Sequence, residues 1–311
     1  MIASVKGLQG RDFIDIADLD REDLRRLIEL AHAIKAGHWS NRPLVGRHIA
    51  MLFQKPSHRT RVSFEVGIAR LGGTATTLSE QDVQLGVRET VADAARVLDR
   101  YVDGVVARLR SHADLLELAA SSAKPVINGL TDRSHPCQVL ADLVTLEEAG
   151  GDLRTQHVVY VGDGNNIAAS LIEASALAGF RLTVVSPAGY QPKAGVLDRA
   201  RSISAQPLKV ELTSDLAGLD DATAIYTDVW ASMGQESERD ERRKAFAPYQ
   251  VNQAVMDAAP GAAFLHCLPA HRGEEVTDEV IDGPRSVVFD QAENRLYAQM
   301  AIMAELFGTE R

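Results

Sequence analysis

An excess of positive charge, a long apolar run and a cysteine framework are all missing from this chain of 311 residues. The formal net charge is −10, which argues against nucleic acid or an anionic membrane surface as a partner. No apolar stretch approaches the roughly 20 residues of a membrane span. The N-terminus lacks the basic-then-apolar pattern of a signal peptide. Only Cys137 and Cys267 are present, too few for a disulfide scaffold and in keeping with a reducing compartment. A cytoplasmic protein with neither membrane nor nucleic-acid partner is therefore expected. Aromatic residues are sparse at 5%, yet hydrophobic residues make up 45%, enough for two cores in a chain of this length.

With an acidic field overall, an anionic ligand has to be captured by arginines placed locally. One stretch offers them: Lys55-Pro56-Ser57-His58-Arg59-Thr60-Arg61, between an apolar strand over residues 48–54 and a helix. In that helix Val62, Val66 and Ala69 recur at helical spacing, as do Phe64, Ile68 and Leu71, before Gly72-Gly73 stops it. Two adjacent apolar stripes predict a well-buried helix whose N-terminus is held rigidly. That end presents unpaired N–H groups and the positive pole of the helix dipole. Two hydroxyls and two guanidinium groups added to it make an anion cradle suited to phosphate. The plainer alternative is an N-capping serine followed by solvated arginines.

Elsewhere, Leu24, Leu27, Ile28, Ala31 and Ile34 mark a helix capped by Asp18 or Asp20. Strands are expected at 74–78, 103–108 and 125–128. The polar segment 79–90 reads as an exposed loop, with Thr90 capping a helix that follows. Ser134-His135-Pro136-Cys137-Gln138 leads into a helix of Val139, Leu140, Leu143 and Leu146. After a break at 147–154 come strand 157–161, tight turn 162–166, helix 167–178 and strand 181–185. Two more strands, 224–227 and 262–265, precede a closing helix of Leu296, Met300, Met303 and Leu306. This alternation predicts an α/β protein of two doubly wound domains with parallel sheets, joined by interdomain helices. The domains are placed at 1–146, with the C-terminal helix 292–311 packing back on it, and at 147–291. Ligands in such folds sit at the carboxyl ends of strands, and Arg59, Arg108 and His135 each follow a strand.

Gly162-Asp163-Gly164-Asn165-Asn166 invites a dinucleotide reading, but Ile167 stands where a third glycine belongs. The next strand ends in Ser186-Pro187, with no acidic residue for a ribose, so a nucleotide-type fold without a nucleotide is expected. Asp228 at a strand's end, before Ser232-Met233-Gly234, suits an ammonium group or caps a helix. His135 with Cys137, and His266 with Cys267, offer four zinc ligands at spacings unlike a structural zinc site. A Cys267 nucleophile with a histidine base is a further option, although a hydrolase has no need of the arginines.

In order along the chain, Ser57-x-Arg59-Thr60-Arg61, His135-Pro136-Cys137-Gln138, Asp228-Val229-Trp230-Ala231-Ser232-Met233-Gly234 and His266-Cys267-Leu268-Pro269 resemble the ornithine carbamoyltransferases. The likeness covers nearly the whole chain. The first two motifs are shared with aspartate carbamoyltransferases. The last two distinguish the ornithine enzymes and weigh against relatives that act on acetylornithine, succinylornithine or putrescine. The resemblance implies transfer of the carbamoyl group of carbamoyl phosphate to the δ-amino group of L-ornithine, giving citrulline in arginine metabolism, with no metal or organic cofactor.

It further implies that Ser57, His58, Arg59, Thr60 and Arg108 hold the phosphate. Gln84 would reach a neighbouring subunit's phosphate in a homotrimer or a multiple of trimers. Thr60, Arg108 and His135 would polarise the carbonyl oxygen. Gln138, the carbonyls of Cys267 and Leu268, and Arg295 would orient the carbamoyl NH2. Asn166, Asp228, Ser232 and Met233 would hold ornithine's α-amino and carboxylate groups, while Cys267 orients the amine beside Asp228. His58 departs from the pattern, standing where ornithine enzymes usually have threonine, so the backbone N–H there is expected to bind. Two alternatives remain: a carbamoyltransferase acting on another amine (acetylornithine, putrescine), and a non-catalytic ligand-binding paralogue.

Overall fold

A computed structural model describes residues 7–231 and 236–308. It divides into two compact units, one of residues up to Leu140 with those from Arg295 onward, the other Ala141–Asn294. The first unit holds α1 (Arg21–Lys35), β1 (His48–Phe53), α2 (His58–Arg70), β2 (Thr74–Ser79), α3 (Glu80–Val83), α4 (Val91–Leu98), β3 (Gly104–Arg108), α5 (His112–Ser121), β4 (Val126–Leu130) and the start of α6 (Pro136–Gly150). The second continues with β5 (His157–Val161), α7 (Asn166–Ala178), β6 (Arg181–Val185), α8 (Ala194–Ile203), β7 (Val210–Thr213), β8 (Ala224–Thr227), α9 (Arg239–Phe246), α10 (Gln253–Ala258), β9 (Ala263–His266), α11 (Asp278–Ile281) and the start of α12 (Val288–Phe307). No helix among the described residues is long and apolar enough to cross a membrane.

Both sheets are wholly parallel, in the orders β2-β1-β3-β4 and β7-β6-β5-β8-β9. The central strands β1, β3, β5 and β8 are apolar and buried almost throughout, as expected where a parallel sheet is covered on both faces. Connections leave β1 and β3 in opposite directions, and likewise β5 and β8. Each sheet therefore opens a crevice at the carboxyl ends of those strands, the ligand position in doubly wound folds.

Local chemistry sets the helix starts. Asp20, rather than Asp18, caps α1 by accepting the Asp23 N–H at 2.7 Å. In α2 the face of Phe64, Gly67 and Ile68 is buried. A side-chain carbon at Gly67 would come within 3.2 Å of both Met300 and Met303, so α12 lies close against α2 at this glycine. The second apolar stripe corrects the expectation of an all-buried helix. Val62 and Val66 are 54% and 37% exposed, and Ala69 is exposed as well. Periodicity reveals an apolar stripe but not whether this chain covers it.

Other departures are local. Segment 79–90 contains α3, where Asp82 accepts the Ser79 N–H at 2.7 Å. Helix α6 runs through the expected break to Gly150, before Gly151 at φ 75°. Helices α5 and α8 and strand β7 are not anticipated from the sequence, although Ser111 caps α5 by accepting the Asp114 N–H. At Gly164 an added side-chain carbon would lie 2.2 Å from the Pro192 nitrogen. Close chain packing explains this glycine without a nucleotide.

Candidate functional site

In the first unit the chain leaves β1 and enters α2 at Ser57, whose extended backbone (φ −155°) lets its hydroxyl face the first turn. Ser57 Oγ lies 3.1 Å from Thr60 Oγ1 and 3.4 Å from the Thr60 nitrogen. Thr60 is fully buried, and two guanidinium groups converge on its hydroxyl. Arg295, from α12, donates through Nη2 at 2.8 Å, and Arg108, at the end of β3, lies at 3.5 Å through Nη1. One hydroxyl oxygen has two lone pairs, so three close donors cannot all be fully satisfied. The long Arg108 contact is the one most readily turned to a ligand.

His135 precedes α6 and is 5% exposed. Burial, then the charges of Arg295 and Arg108, hold its imidazole well below the usual 6.5. The ring is therefore neutral at physiological pH, able to donate a hydrogen bond without adding charge. Gln138, in the first turn of α6, is also buried. Thus Ser57, Thr60, Arg108, His135 and Arg295 belong to one neighbourhood of the first unit. Arg61 is engaged elsewhere, bonding Glu65 at 2.9 Å. His58 is exposed, its Nε2 3.4 Å from Arg59 Nη1. Gln84 ends α3 in the left-handed region (φ 41°), exposed and bonded through its side chain to none of the described cradle residues.

In the second unit the turn after β5 and the end of β8 meet at Asp228, which is 7% exposed. Its Oδ2 accepts from Asn165 Nδ2 at 2.8 Å, and its Oδ1 from the Val229 N–H at 2.8 Å and from Cys267 Sγ at 3.1 Å. Asn165 caps α7, its Oδ1 accepting from Ile167 and Ala168, so its amide is aimed at the carboxylate by the helix start itself. Asn166 is the first residue of α7. Ser232 and Met233 lie outside the described residues.

Cys267 follows β9 in a turn whose Leu268 has φ 55°. The buried His266 ring holds this turn: Nδ1 accepts the Leu268 N–H at 2.8 Å, leaving Nε2–H to donate to Glu275 Oε1 at 3.1 Å. Gln291 accepts the His266 N–H at 2.9 Å and donates to Asp142 at 2.7 Å. Asp228, His266 and Cys267 place potential ligand atoms within 4.8 Å of one another. Both His266 nitrogens are already committed, however, and the thiol is turned to Asp228 rather than to a histidine base. Cys137 is fully buried, its thiol pushed up to about 12 by burial, and its Sγ donates to the Asn128 carbonyl at 3.2 Å.

Sequence reasoning did not single out Asn165, Glu275, Asp163 or Arg242. Arg242 bonds Asp163 at 2.9 Å, the Trp230 carbonyl at 3.0 Å and Glu238 at 3.0 Å, tying together chain on both sides of residues 232–235. Burial pushes the Asp163 carboxyl up to about 6, against the pull of Arg242. The Gly162-Asp163-Gly164 turn was the available signal, but it points first to a nucleotide.

Comparison with known proteins is consistent across the chain. Residues 11–148 match the carbamoyl-phosphate-binding domain of the aspartate/ornithine carbamoyltransferases, and residues 154–306 match their Asp/Orn-binding domain. An ornithine carbamoyltransferase of Thermococcus kodakarensis is 52% identical over 98% of this chain and 98% of its own. The solved ornithine carbamoyltransferase of Pyrococcus furiosus superposes with a TM-score of 0.94 at 50% identity, covering 99% of this chain and 100% of that one. An anabolic ornithine carbamoyltransferase from Campylobacter jejuni gives 0.88 at 35% identity, covering 94% and 98%.

Proposed function

This chain belongs to the aspartate/ornithine carbamoyltransferase family, and from that premise we propose that it carries the carbamoyl group from carbamoyl phosphate to the δ-amino group of L-ornithine, giving L-citrulline and phosphate. The observation that carries the reading is the convergence of Arg108 and Arg295 on Thr60 beside a neutral His135, at the crevice of the first sheet. Carbamoyl phosphate places its phosphate on the N-terminus of α2, against Ser57, the His58 N–H, Arg59 and Thr60. Its carbonyl oxygen lies toward Thr60, Arg108 and His135, while Gln138, Arg295 and the Cys267 and Leu268 carbonyls orient its NH2.

Ornithine's α-amino and carboxylate groups fall to Asn166, Asp228, Ser232 and Met233. The δ-amine attacks the carbonyl carbon only as the neutral amine, and nearby guanidinium groups lower its pKa. As the C–N bond forms, charge gathers on the carbonyl oxygen, where donors already in place stabilise it. The C–O bond to phosphate then breaks, and a phosphate oxygen takes the amine's proton. Cys267, donating to Asp228, orients the incoming amine and forms no covalent bond. No cofactor enters any step.

The relatives named anabolic support the synthetic direction, ornithine to citrulline. Assembly as a homotrimer or a multiple of trimers is inferred, with the exposed Gln84 at the end of α3 reaching a neighbouring subunit. A cytoplasmic setting accords with two free cysteines, one of them buried. We place the domain limits at residues 1–146 with 292–311, and at 147–291, close to the compact units that divide at Leu140 and Arg295.

The test is a steady-state assay with carbamoyl phosphate against ornithine, acetylornithine, putrescine, aspartate and lysine. Ornithine should exceed putrescine in kcat/KM by about 10⁴, because polar groups built to pair a carboxylate and an α-amine are left unpaired by a diamine. Comparable values for the two amines would overturn the preference for ornithine. No citrulline at all would favour a ligand-binding paralogue.

A further inference from the structure

Resting on the carbamoyl-transfer reading, in which His135 donates to the carbonyl oxygen, a further question is what holds His135 in place. It follows the turn of residues 131–134, and that turn is braced from behind by a buried polar chain. Thr131 N–H donates to the Ser134 carbonyl at 3.0 Å, and Ser134 N–H donates to Thr131 Oγ1 at 3.3 Å. The same Thr131 hydroxyl is 2.9 Å from His112 Nδ1, and the His112 N–H donates to Asp132 Oδ1 at 2.8 Å. His112 is the first residue of α5, only 6% exposed, with Nε2 3.6 Å from Asp15 Oδ2. Asn128, fully buried on β4, donates to Ser134 Oγ at 2.9 Å and to the Ile14 carbonyl at 2.8 Å.

One proton arrangement fits the contacts at Thr131 and His112. Ser134 N–H occupies one lone pair of Thr131 Oγ1, and the Thr131 O–H then donates to a bare His112 Nδ1. That leaves the His112 proton on Nε2, facing the Asp15 carboxylate. The turn is thus held through the Thr131 and Asp132 side chains by His112 of α5, and through the Ser134 side chain by Asn128 of β4. Neither grip touches the crevice. A one-ångström displacement of a reacting or stabilising group can cost about 10²-fold in rate, so a brace at this point acts on catalysis without meeting the substrate.

We propose that His112, oriented by Asp15 and acting through the Thr131 hydroxyl, is a positioning residue for His135. His112→Ala should lower kcat by about 10- to 100-fold, with inorganic phosphate binding to the α2 cradle unchanged. His112→Asn, which keeps an acceptor at the δ position, should restore most of the rate. Thr131→Val should reproduce the loss and Thr131→Ser should not, which supplies a second route should His112→Ala fold poorly.

The deciding measurement is a double-mutant cycle. In a His135→Asn background the His112→Ala change should have almost no further effect, because the residue it positions is gone. If that background turns over too slowly, the ring signal of labelled His135 should shift in His112→Ala and return in His112→Asn. Equal losses in both backgrounds, an unmoved His135 signal, or an unchanged kcat would overturn the proposal. Failure of the carbamoyl-transfer reading would look different, because the unaltered protein would then form no citrulline.

Discussion

Replacing Thr60 by valine keeps its shape, removes its hydroxyl, and separates two roles that the oxygen plays. In the resting protein that oxygen accepts from Arg295 at 2.8 Å in a fully buried position. A hydrogen bond to a charged group is worth about 1.5–3 kcal/mol, so Thr60→Val should lower stability on that scale. For a chain of this size that is a fall of a few degrees in Tm, about 1.5 °C per kcal/mol. In the proposed reaction the same hydroxyl stands among the donors to the carbonyl oxygen, and losing one such donor costs about 10²–10³ in rate. Its loss also frees Arg295 and Arg108 from a shared anchor, which adds to the kinetic penalty. Thr60→Ser, which retains the hydroxyl, should stay near the parent in both respects. Citrulline formation at varied carbamoyl phosphate, beside a thermal melt of each variant, reads out the two effects. A Thr60→Val protein that melts early but keeps kcat/KM within about threefold of the parent, far short of the loss of a donor, would reduce Thr60 to a brace and refute the reasoning.

Further outcomes follow from the same contacts. Cys267→Ser keeps a donor for Asp228 and should retain more activity than Cys267→Ala; a carbamoyl adduct on Cys267, seen by mass spectrometry during turnover, would reinstate the nucleophile reading. Mixing Arg59→Ala with Gln84→Ala protein should regenerate some unimpaired sites if Gln84 serves a neighbouring subunit, and no recovery in mixtures proven to exchange subunits would confine the loop to its own chain. Below pH 6.5 unfolded His135 takes up a proton while the buried ring stays neutral, so the unfolded state binds more protons and stability is lost as the pH is lowered. Relative to His135→Gln the loss should approach about 1.4 kcal/mol per pH unit, and parallel urea-unfolding curves for the two proteins above and below pH 6.5 would contradict it. Ornithine should give little calorimetric heat with the free protein and clear binding once a phosphonate analogue fills the cradle; equal affinity in both states would mean that phosphate does not prepare the site for a cationic amine.

The strands and the cradle were legible because each rests on a local pattern. An apolar run such as that of β1 or β5 has few other uses, and Ser57 at a helix start has a defined geometry. What was not legible depends on partners far away in the chain. Arg295 lies 235 residues from Thr60, and within α12 nothing but family likeness separates it from any surface arginine. Asn165 and Asn166 are equivalent in composition; the helix start decides between them, directing the Asn165 amide to Asp228. The raised carboxyl of Asp163 is a burial effect, invisible until the turn has folded around Arg242. The stripe of Val62, Val66 and Ala69 had the right period, but a period carries no information about what lies opposite it.

Gly67 gives the cradle an unexpected guardian. It lies seven residues beyond Thr60 on one helix and faces Met300 and Met303, just beyond Arg295 on the other, so the spacing of the two helices is set some distance from the chemistry. Methionine side chains yield easily, and the helical backbone at position 67 accepts alanine, so Gly67→Ala should express and fold. Even so, the neighbours must give by a few tenths of an ångström, and that displacement is carried along α12 toward the guanidinium that grips Thr60. A variant library sorted on abundance alone would pass this substitution as silent, whereas one sorted on citrulline would not. A survey confined to substrate-contacting residues would therefore miss the dependence of the cradle on position 67.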